Sequence, residues 1–353
     1  MKNLVIDKRV IKSNLQAVKE RADGAAIYAD LSGDAFGMGL LETARLLRDE
    51  GIRHFAVSDQ KDAAVLRKNS FEEERIMMLR STADSNELEQ LIDLNVICTV
   101  GSYDAAVAIN GIAEARKTVC EVQVKIDTGL GRYGFMPAET DKIAAIYKYM
   151  PNLAVVGMFT TFSASWKSKK ITLSQLDMFN EVLDKLISMG YDVGAVHACD
   201  SAALFRYDFG RMDAVRVGTA LSGRVAGKSI PGLHKVGYIE AGLEEVGWFP
   251  KGHRIGGNII LKSPTKLAVL SVGYYHGFGV TQQEDHSFFE MLKSQRRRRY
   301  VKFGSQKARV LGDIGMMHTI VDVTKIDCTV GDIAVMDVDP VNVKGLLRVY
   351  KTA

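Results

Sequence analysis

Residues 153–197 read LAVVGMFTTFSASWKSKKITLSQLDMFNEVLDKLISMGYDVGAVH, and their pattern decides the fold. Two short apolar runs, 153–159 and 193–197, flank a long stretch of helical period. Within that stretch Leu176, Phe179, Leu183, Leu186 and Ile187 form one apolar stripe, and Gly190 follows where a helix C-cap belongs. Strand, helix and strand in this order make a parallel crossover unit, because two parallel strands need a connection long enough to return across the sheet.

The same alternation runs outward from Lys12 to about Gly223. Apolar runs at 25–29, 54–57, 75–79, 97–100, 121–126 and 214–217 bring the candidate strands to eight, with helical patterns such as NELEQLIDL and ETDKIAAIYKYM between them. Eight such units in roughly 210 residues fit a (β/α)8 barrel of the TIM type. A doubly wound open sheet is the alternative; the number of units and the lack of a GxGxxG turn after the first strand favour the barrel. Beyond Gly223 the helical patterns fade. Short runs at 259–261, 266–272, 300–303, 307–311, 320–323 and 333–337 alternate with Gly, Pro and Asp, so a C-terminal β-strand domain is expected. The expected boundaries are 8–224 for the barrel and 225–353 for the β domain, with 1–7 as an added strand. Pro231, Gly232, Gly237 and Gly242 mark a linker region, and the segment from Asp285 to Arg299 reads as an insertion closing on four arginines, Arg296 to Arg299.

Composition narrows the classes. With 353 residues, 47% hydrophobic and 25% charged, the chain is neither disordered nor collagenous. Its 46 Lys and Arg against 42 Asp and Glu leave a net charge of +4, too small for a nucleic-acid footprint over the whole chain. No apolar stretch approaches the roughly 18 residues of a membrane span, and MKNLVIDKRVIKSNL lacks a signal-peptide core, so a cytoplasmic protein without a membrane partner is expected. Cys98, Cys120, Cys199 and Cys328 lie far apart with no CxxC pair, which reads as reduced thiols and no metal site.

In a barrel of this kind the chemistry sits where strands end. VKIDTGLGRYGF places Lys125 and Asp127 near a strand end and sets Arg132, a planar five-donor group, within reach of a carboxylate or phosphate. A Gly-rich connecting loop with a structural ion pair explains the same residues. In HACDS, His197, Asp200 and Ser201 precede a helix whose first amides suit phosphate, although Ser201 serves equally as an N-cap. In RVGTALSG, Arg216 ends a strand, while Gly218 and Thr219 offer amides and a hydroxyl where such barrels commonly hold phosphate.

These three motifs resemble the alanine racemase family, fold-type III pyridoxal 5′-phosphate (PLP) enzymes built from a barrel and a C-terminal β domain. VIDKRVIKSNLQAVKER, HFAVSDQKDAAVLR, SVGYYHGFG and GDIGMMHTIVDVT extend the resemblance over nearly the whole chain. It implies PLP as cofactor, a small-molecule ligand and a homodimer. Arg216 matches the arginine facing the PLP ring nitrogen, and Ser201, Gly218 and Thr219 match parts of the phosphate cup. His197 matches a histidine near the cofactor and Tyr274 the tyrosine of the G-Y turn. Arg132 and Lys125 match a conserved arginine and a lysine that is carbamylated in some members. Met316, within the counterpart of the C-M-D triplet, is a ligand-binding candidate.

The departures fall on the acid–base groups. The family's Schiff-base lysine stands in K-A-[ND]-A-Y-G-H-G, where this chain reads YADLSGDAFGMG. Read with a short insertion, Tyr28 takes the lysine's place, Phe36 and Met38 replace the tyrosine and histidine, and Asp34 becomes a new polar group. No lysine lies between Lys19 and Lys61. The second base, a tyrosine, is matched by Gly256 in RIGGN; T-H-F becomes Thr160-Thr161-Phe162; and the tail DVDPVNVKGLLRVY omits a segment carrying a phosphate-binding tyrosine. A positioned acid or base is worth about 10²–10⁴ in rate. The resemblance therefore implies a divergent member that is not a competent alanine racemase, holding PLP, non-covalently, or another phosphorylated ligand, or doing altered chemistry. An active PLP racemase using a replacement lysine, with Lys125 the nearest, stays open. So does a non-enzymatic regulatory or interaction protein working through residues 285–299.

Overall fold

The structure is a computed structural model and describes residues 1–227, 229–255, 259–280 and 300–352. Gly256 and the segment from Asp285 to Arg299 lie outside the described residues. Two compact units are present, one comprising Lys12–His234 and the other Met1–Ile11 with Lys235–Ala353.

The larger unit is a closed parallel barrel, so the open-sheet alternative falls. After β1 (Lys2–Asp7), which belongs to the other unit, its strands are β2 (Ala26–Asp30), β3 (His54–Val57), β4 (Arg75–Ser81), β5 (Ile97–Val100), β6 (Cys120–Lys125), β7 (Leu153–Phe159), β8 (Ala195–Cys199) and β9 (Ala214–Val217). Each pairs with the next, and β9 returns to β2 with Tyr28 opposite Arg216. Barrel strands are covered on both faces, which is why β5 and β9 are buried at every position and, Thr99 and Arg216 apart, are apolar. The long helix after β7 is Lys169–Ser188, and it buries Leu176, Phe179, Leu183 and Leu186. Ile187, assigned to the same stripe from its spacing, is 54% exposed at the helix end, where the face has rotated away from the barrel. Five strand-to-helix junctions carry a side-chain N-cap, at Asp59, Asp84, Ser102, Ser168 and Asp200. Each such cap satisfies an orphan amide and contributes about 1 kcal/mol.

In the smaller unit an antiparallel sheet is organised around β10 (Tyr238–Phe249), which pairs with β1, with Ile333–Asp337 and with Thr265–Leu270. Leu347–Lys351 adds to the outer side of β1 as the parallel member. Gly242 is therefore part of a strand and not of a linker. The burial of Ile239, Ala241 and Leu243 on one face of β10 is the period-2 signal that the glycines obscure. No helix among the described residues is long and apolar enough to cross a membrane, and all four cysteines are free and buried.

The barrel depends on one close backbone approach. A Cβ on Gly157 of β7 would lie 2.4 Å from the Ala195 carbonyl oxygen of β8 and 3.2 Å from the Gln123 side chain inside the barrel. Gly157→Ala is expected to lower stability by about 1–3 kcal/mol, or more if the strands cannot separate locally. Urea unfolding tests this, and an unchanged midpoint would contradict the contact.

Candidate functional site

A buried chain of polar groups crosses the barrel interior. Arg216, on β9, donates from Nη1 to His197 Nδ1 (2.6 Å) and from Nη2 to the Thr160 carbonyl (2.8 Å) and Thr161 Oγ1 (2.9 Å). The other ring nitrogen of His197, Nε2, lies 2.6 Å from Gln123 Oε1, and Gln123 Nε2 donates to the Tyr28 hydroxyl at 3.1 Å. A guanidinium only donates and an amide oxygen only accepts, so His197 must be the neutral tautomer with its proton on Nε2. Burial, helped by the adjacent Arg216 charge, holds its pKa well below the usual imidazole value. The ring is stacked on Phe159 at 5.1 Å, and the Arg216 guanidinium lies over the same Phe159 ring at 4.9 Å.

Tyr28 ends this chain deep in the barrel and is not at its mouth. It is 4% exposed and packs with Met77, Ile97, Phe159 and Ala214, and burial raises its pKa. Because β2 runs on to Asp30, the inward-facing position nearest the mouth is Asp30, two residues beyond Tyr28. Ser32 follows, and the chain then enters a left-handed turn with φ of 62° at Gly33, 60° at Asp34, 54° at Ala35 and 54° at Phe36. Left-handed backbone costs roughly 1–2 kcal/mol per non-glycine residue. The turn is held by the Leu40 amide donating to Asp34 Oδ1 (2.7 Å) and the Ala35 amide donating to the Leu31 carbonyl (2.7 Å). Asp34 thus braces the loop. The turn also lays the Phe36 ring on Gly218, where a Cβ would meet Phe36 Cε2 at 2.2 Å.

Above the polar chain lies a cleft of about 360 Å³ whose lining includes Asp30, Ser32, Ser58, Lys125, Arg132, Asp200 and Arg216. Ser32 Oγ and Ser58 Oγ are 2.6 Å apart. Lys125 donates from Nζ to the carbonyls of Arg132 (2.9 Å) and Tyr133 (3.1 Å), and burial, with Arg216 and Arg132 nearby, brings it down to about 8 against the pull of Asp127. Asp127 shapes that loop, its Oδ1 accepting from the amides of Gly129, Leu130 and Gly131. Asp200 caps Ala203 and accepts from Ser165 Oγ; burial pushes the carboxyls of both Asp200 and Asp30 up. Among the described residues none of Asp30, Lys125, Arg132, Asp200 and Arg216 is joined to an opposite charge by an ion pair.

Ser201, Gly218 and Thr219 come together beside the cleft without being part of its lining. Ser201 Oγ accepts from the amides of Gly218 and Ala220, both at 3.1 Å, and its own proton is used in neither bond. Tyr274 and Met316 lie in the smaller unit, where the Tyr274 amide donates to the Gly315 carbonyl and the Tyr275 amide to the Met316 carbonyl. Both side chains are exposed. No group of three or more His, Cys, Asp or Glu side chains among the described residues is placed to hold a metal ion.

The family model for the alanine racemase N-terminal domain matches residues 6–225, and that for the C-terminal domain matches residues 238–345. The alanine racemase of Halothermothrix orenii is 28% identical over 339 residues, covering 94% of this chain and 86% of its own length. That of Chlorobaculum tepidum is 30% identical over 318 residues, covering 87% and 78%. A solved alanine racemase from Bartonella henselae with covalently bound pyridoxal phosphate shares the fold, with a TM-score of 0.83, 21% identity and 99% coverage of both chains. Asp30, Ser32, Ser58 and Arg80, the last paired with Glu87, are among the cleft residues that the motif reading passed over. A gap-free match of SGDAFGMG to K-A-[ND]-A-Y-G-H-G finds Ser32 at once, and needs none of the insertion that put Tyr28 at the lysine's place.

The neutral state of His197 has a consequence for stability. Its pKa is depressed in the folded chain, so on acidification the unfolded chain takes up the proton first. The stabilisation is fully present above about pH 6.5 and is lost as the pH falls from there toward the folded value. His197→Gln is expected to flatten the pH dependence of urea unfolding between about pH 5 and 6.5, leaving the slopes of His54 and His276, which burial also holds down. An unaltered slope would exclude His197 as the titrating group.

Proposed function

The chain belongs to the alanine racemase family, and from that premise we propose that it binds PLP, or a ligand of the same phosphorylated-ring class, without a covalent link and does not racemise alanine by the family's route. One observation carries this reading: the mouth of β2 presents the Ser32 hydroxyl, bonded to Ser58, while Arg216 stands in the cleft with its hydrogen-bonded support complete. A hydroxyl has no nitrogen with which to condense with an aldehyde.

The remaining residues fit the rest of the group. Arg216 uses three of its N–H donors inside the barrel and has two more to offer toward a ring nitrogen. Ser201 has an unspent proton, and it stands with Gly218, whose amide it already holds, at the place of the phosphate cup. Arg132 and Lys125 add positive charge without an ion-pair partner, which suits an anionic ligand. When bound, PLP supplies an electron-poor ring able to delocalise charge from an adjoining carbon. The chain's own part is to hold that ring: the neutral His197 keeps Arg216 in place, and the stack on Phe159 keeps both from turning. A homodimer is part of the same reading and is supported by the family membership; light scattering tests it.

A second reading is favoured by Lys125, an amine lining the cleft whose pKa of about 8 leaves part of it uncharged near neutrality. Its two bonds to carbonyls count against its use as a replacement lysine.

The full chain mixed with PLP should therefore gain visible absorbance that dialysis removes, and borohydride should fix nothing to it. Replacing Arg216 by Gln should weaken binding by about tenfold or more, with no alanine racemisation in either protein. A borohydride-stable adduct mapping to any lysine, Lys125 included, would overturn the proposal.

Restoring the amine supplies the converse test. Ser32→Lys should give a borohydride-stable adduct at position 32, found by peptide mapping. Its absence, with PLP still bound, would show that Ser32 does not occupy the lysine's place.

A further inference from the structure

We infer that the cleft is selective for the amine form of the phosphorylated ring, pyridoxamine 5′-phosphate, with the ligand's ammonium received by Asp30. This rests on the proposed phosphorylated-ring site and adds which form of the ring the site takes.

The argument begins with the charges that line one cavity. Arg80 lines it but is paired with Glu87; of the remaining charged residues Lys125, Arg132 and Arg216 are positive and Asp30 and Asp200 negative, and none of these five makes an ion pair among the described residues. Opposite charges held in one cleft but not on each other are arranged for a ligand that carries both signs. A purely anionic ligand would answer the three cations and bring a like charge to the carboxylates.

The two acids are not equivalent. Asp200 has both oxygens engaged, one by the Ala203 amide and the other by Ser165 Oγ, and so serves the helix it caps. The hydrogen bonds of Asp30 come from Ser32 alone. Its carboxylate is half-buried at the strand end, lining the cleft next to the position where the family motif has its lysine. The amine that the family's chain carries at that place is absent here, and an acid stands beside the vacated position. An ammonium arriving on the ligand restores the charge balance that a chain-borne lysine would otherwise supply, and the resulting charge-assisted bond sits in a partly water-excluded cleft where it is worth most.

Calorimetric titration of the full chain with pyridoxamine 5′-phosphate, with its alcohol counterpart pyridoxine 5′-phosphate and with PLP decides the matter. The amine should bind about tenfold or more tightly than either form that lacks the ammonium. Asp30→Asn, which keeps an oxygen to accept the Ser32 amide, should bring the amine-to-alcohol ratio to within about threefold of one. Equal binding of amine and alcohol by the unaltered chain would overturn the inference while leaving the phosphorylated-ring reading intact, as would an undiminished preference in Asp30→Asn. If none of the three binds, the phosphorylated-ring reading fails and takes this inference with it. Should Asp30→Asn not fold, the ratio measured on the unaltered chain still decides the preference.

Discussion

Burying the Arg216 guanidinium inside a parallel barrel is the constraint on which the rest of the larger unit depends. An isolated charge at that depth would cost several kcal/mol, and the donors turned into the barrel must find acceptors that its wall does not ordinarily offer. The Thr160 carbonyl, Thr161 Oγ1 and His197 Nδ1 are those acceptors. Using Nδ1 as an acceptor forces the histidine proton to Nε2, which requires Gln123 Oε1. Gln123 in turn fixes its amide by donating to Tyr28. Four strands, β2, β6, β8 and β9, are thereby joined through side chains as well as through their ladders. Gly157 is needed because Gln123 and the β8 backbone occupy the space a Cβ would take.

That network also explains the electrostatics of the cleft above it. Arg216 is neutralised by dipoles and not by a carboxylate, so its charge remains available at the surface of the cavity. The same field, with burial, lowers Lys125 and His197 and partly offsets the desolvation of Asp30 and Asp200. Lys125 is tolerated because the loop that Asp127 folds turns two carbonyls back onto its ammonium. The cleft is thus a place of unpaired charges kept apart by hydrogen bonds to neutral groups, which is a binding site's arrangement more than a core's.

The barrel was legible because its signals are local and repeated: eight apolar runs with helical stripes between them. The cap before the last barrel helix was not, since it is Asp200 and not Ser201. Arg216, His197 and Lys125 were also legible, since a polar residue at the end of an apolar run has few structural uses. The first strand was harder. Its apolar character fades at Asp30, so the pattern stops one residue early and moves the mouth of the barrel down toward Tyr28. The left-handed turn from Gly33 to Phe36 leaves no periodic trace, and without it the loop length invites an insertion that a gap-free match does not need. Gly242 misled in the opposite sense, because a glycine reads as a turn until it is seen paired with Ile333 inside a strand.

By itself the sequence determined the parallel barrel, the β-rich second unit and the family, because hydrophobic period and ordered motifs survive without any knowledge of contacts. Only the tertiary structure decided which residue stands at the mouth of β2, which tautomer His197 adopts and which charges remain unpaired. Those properties depend on distances between side chains from strands far apart in the chain, and burial sets their energy only once the barrel has closed. The charged fraction of the chain was ordinary as a number. Its meaning lay in five charges brought to one cleft without an ion pair, beside a sixth, Arg80, that Glu87 holds.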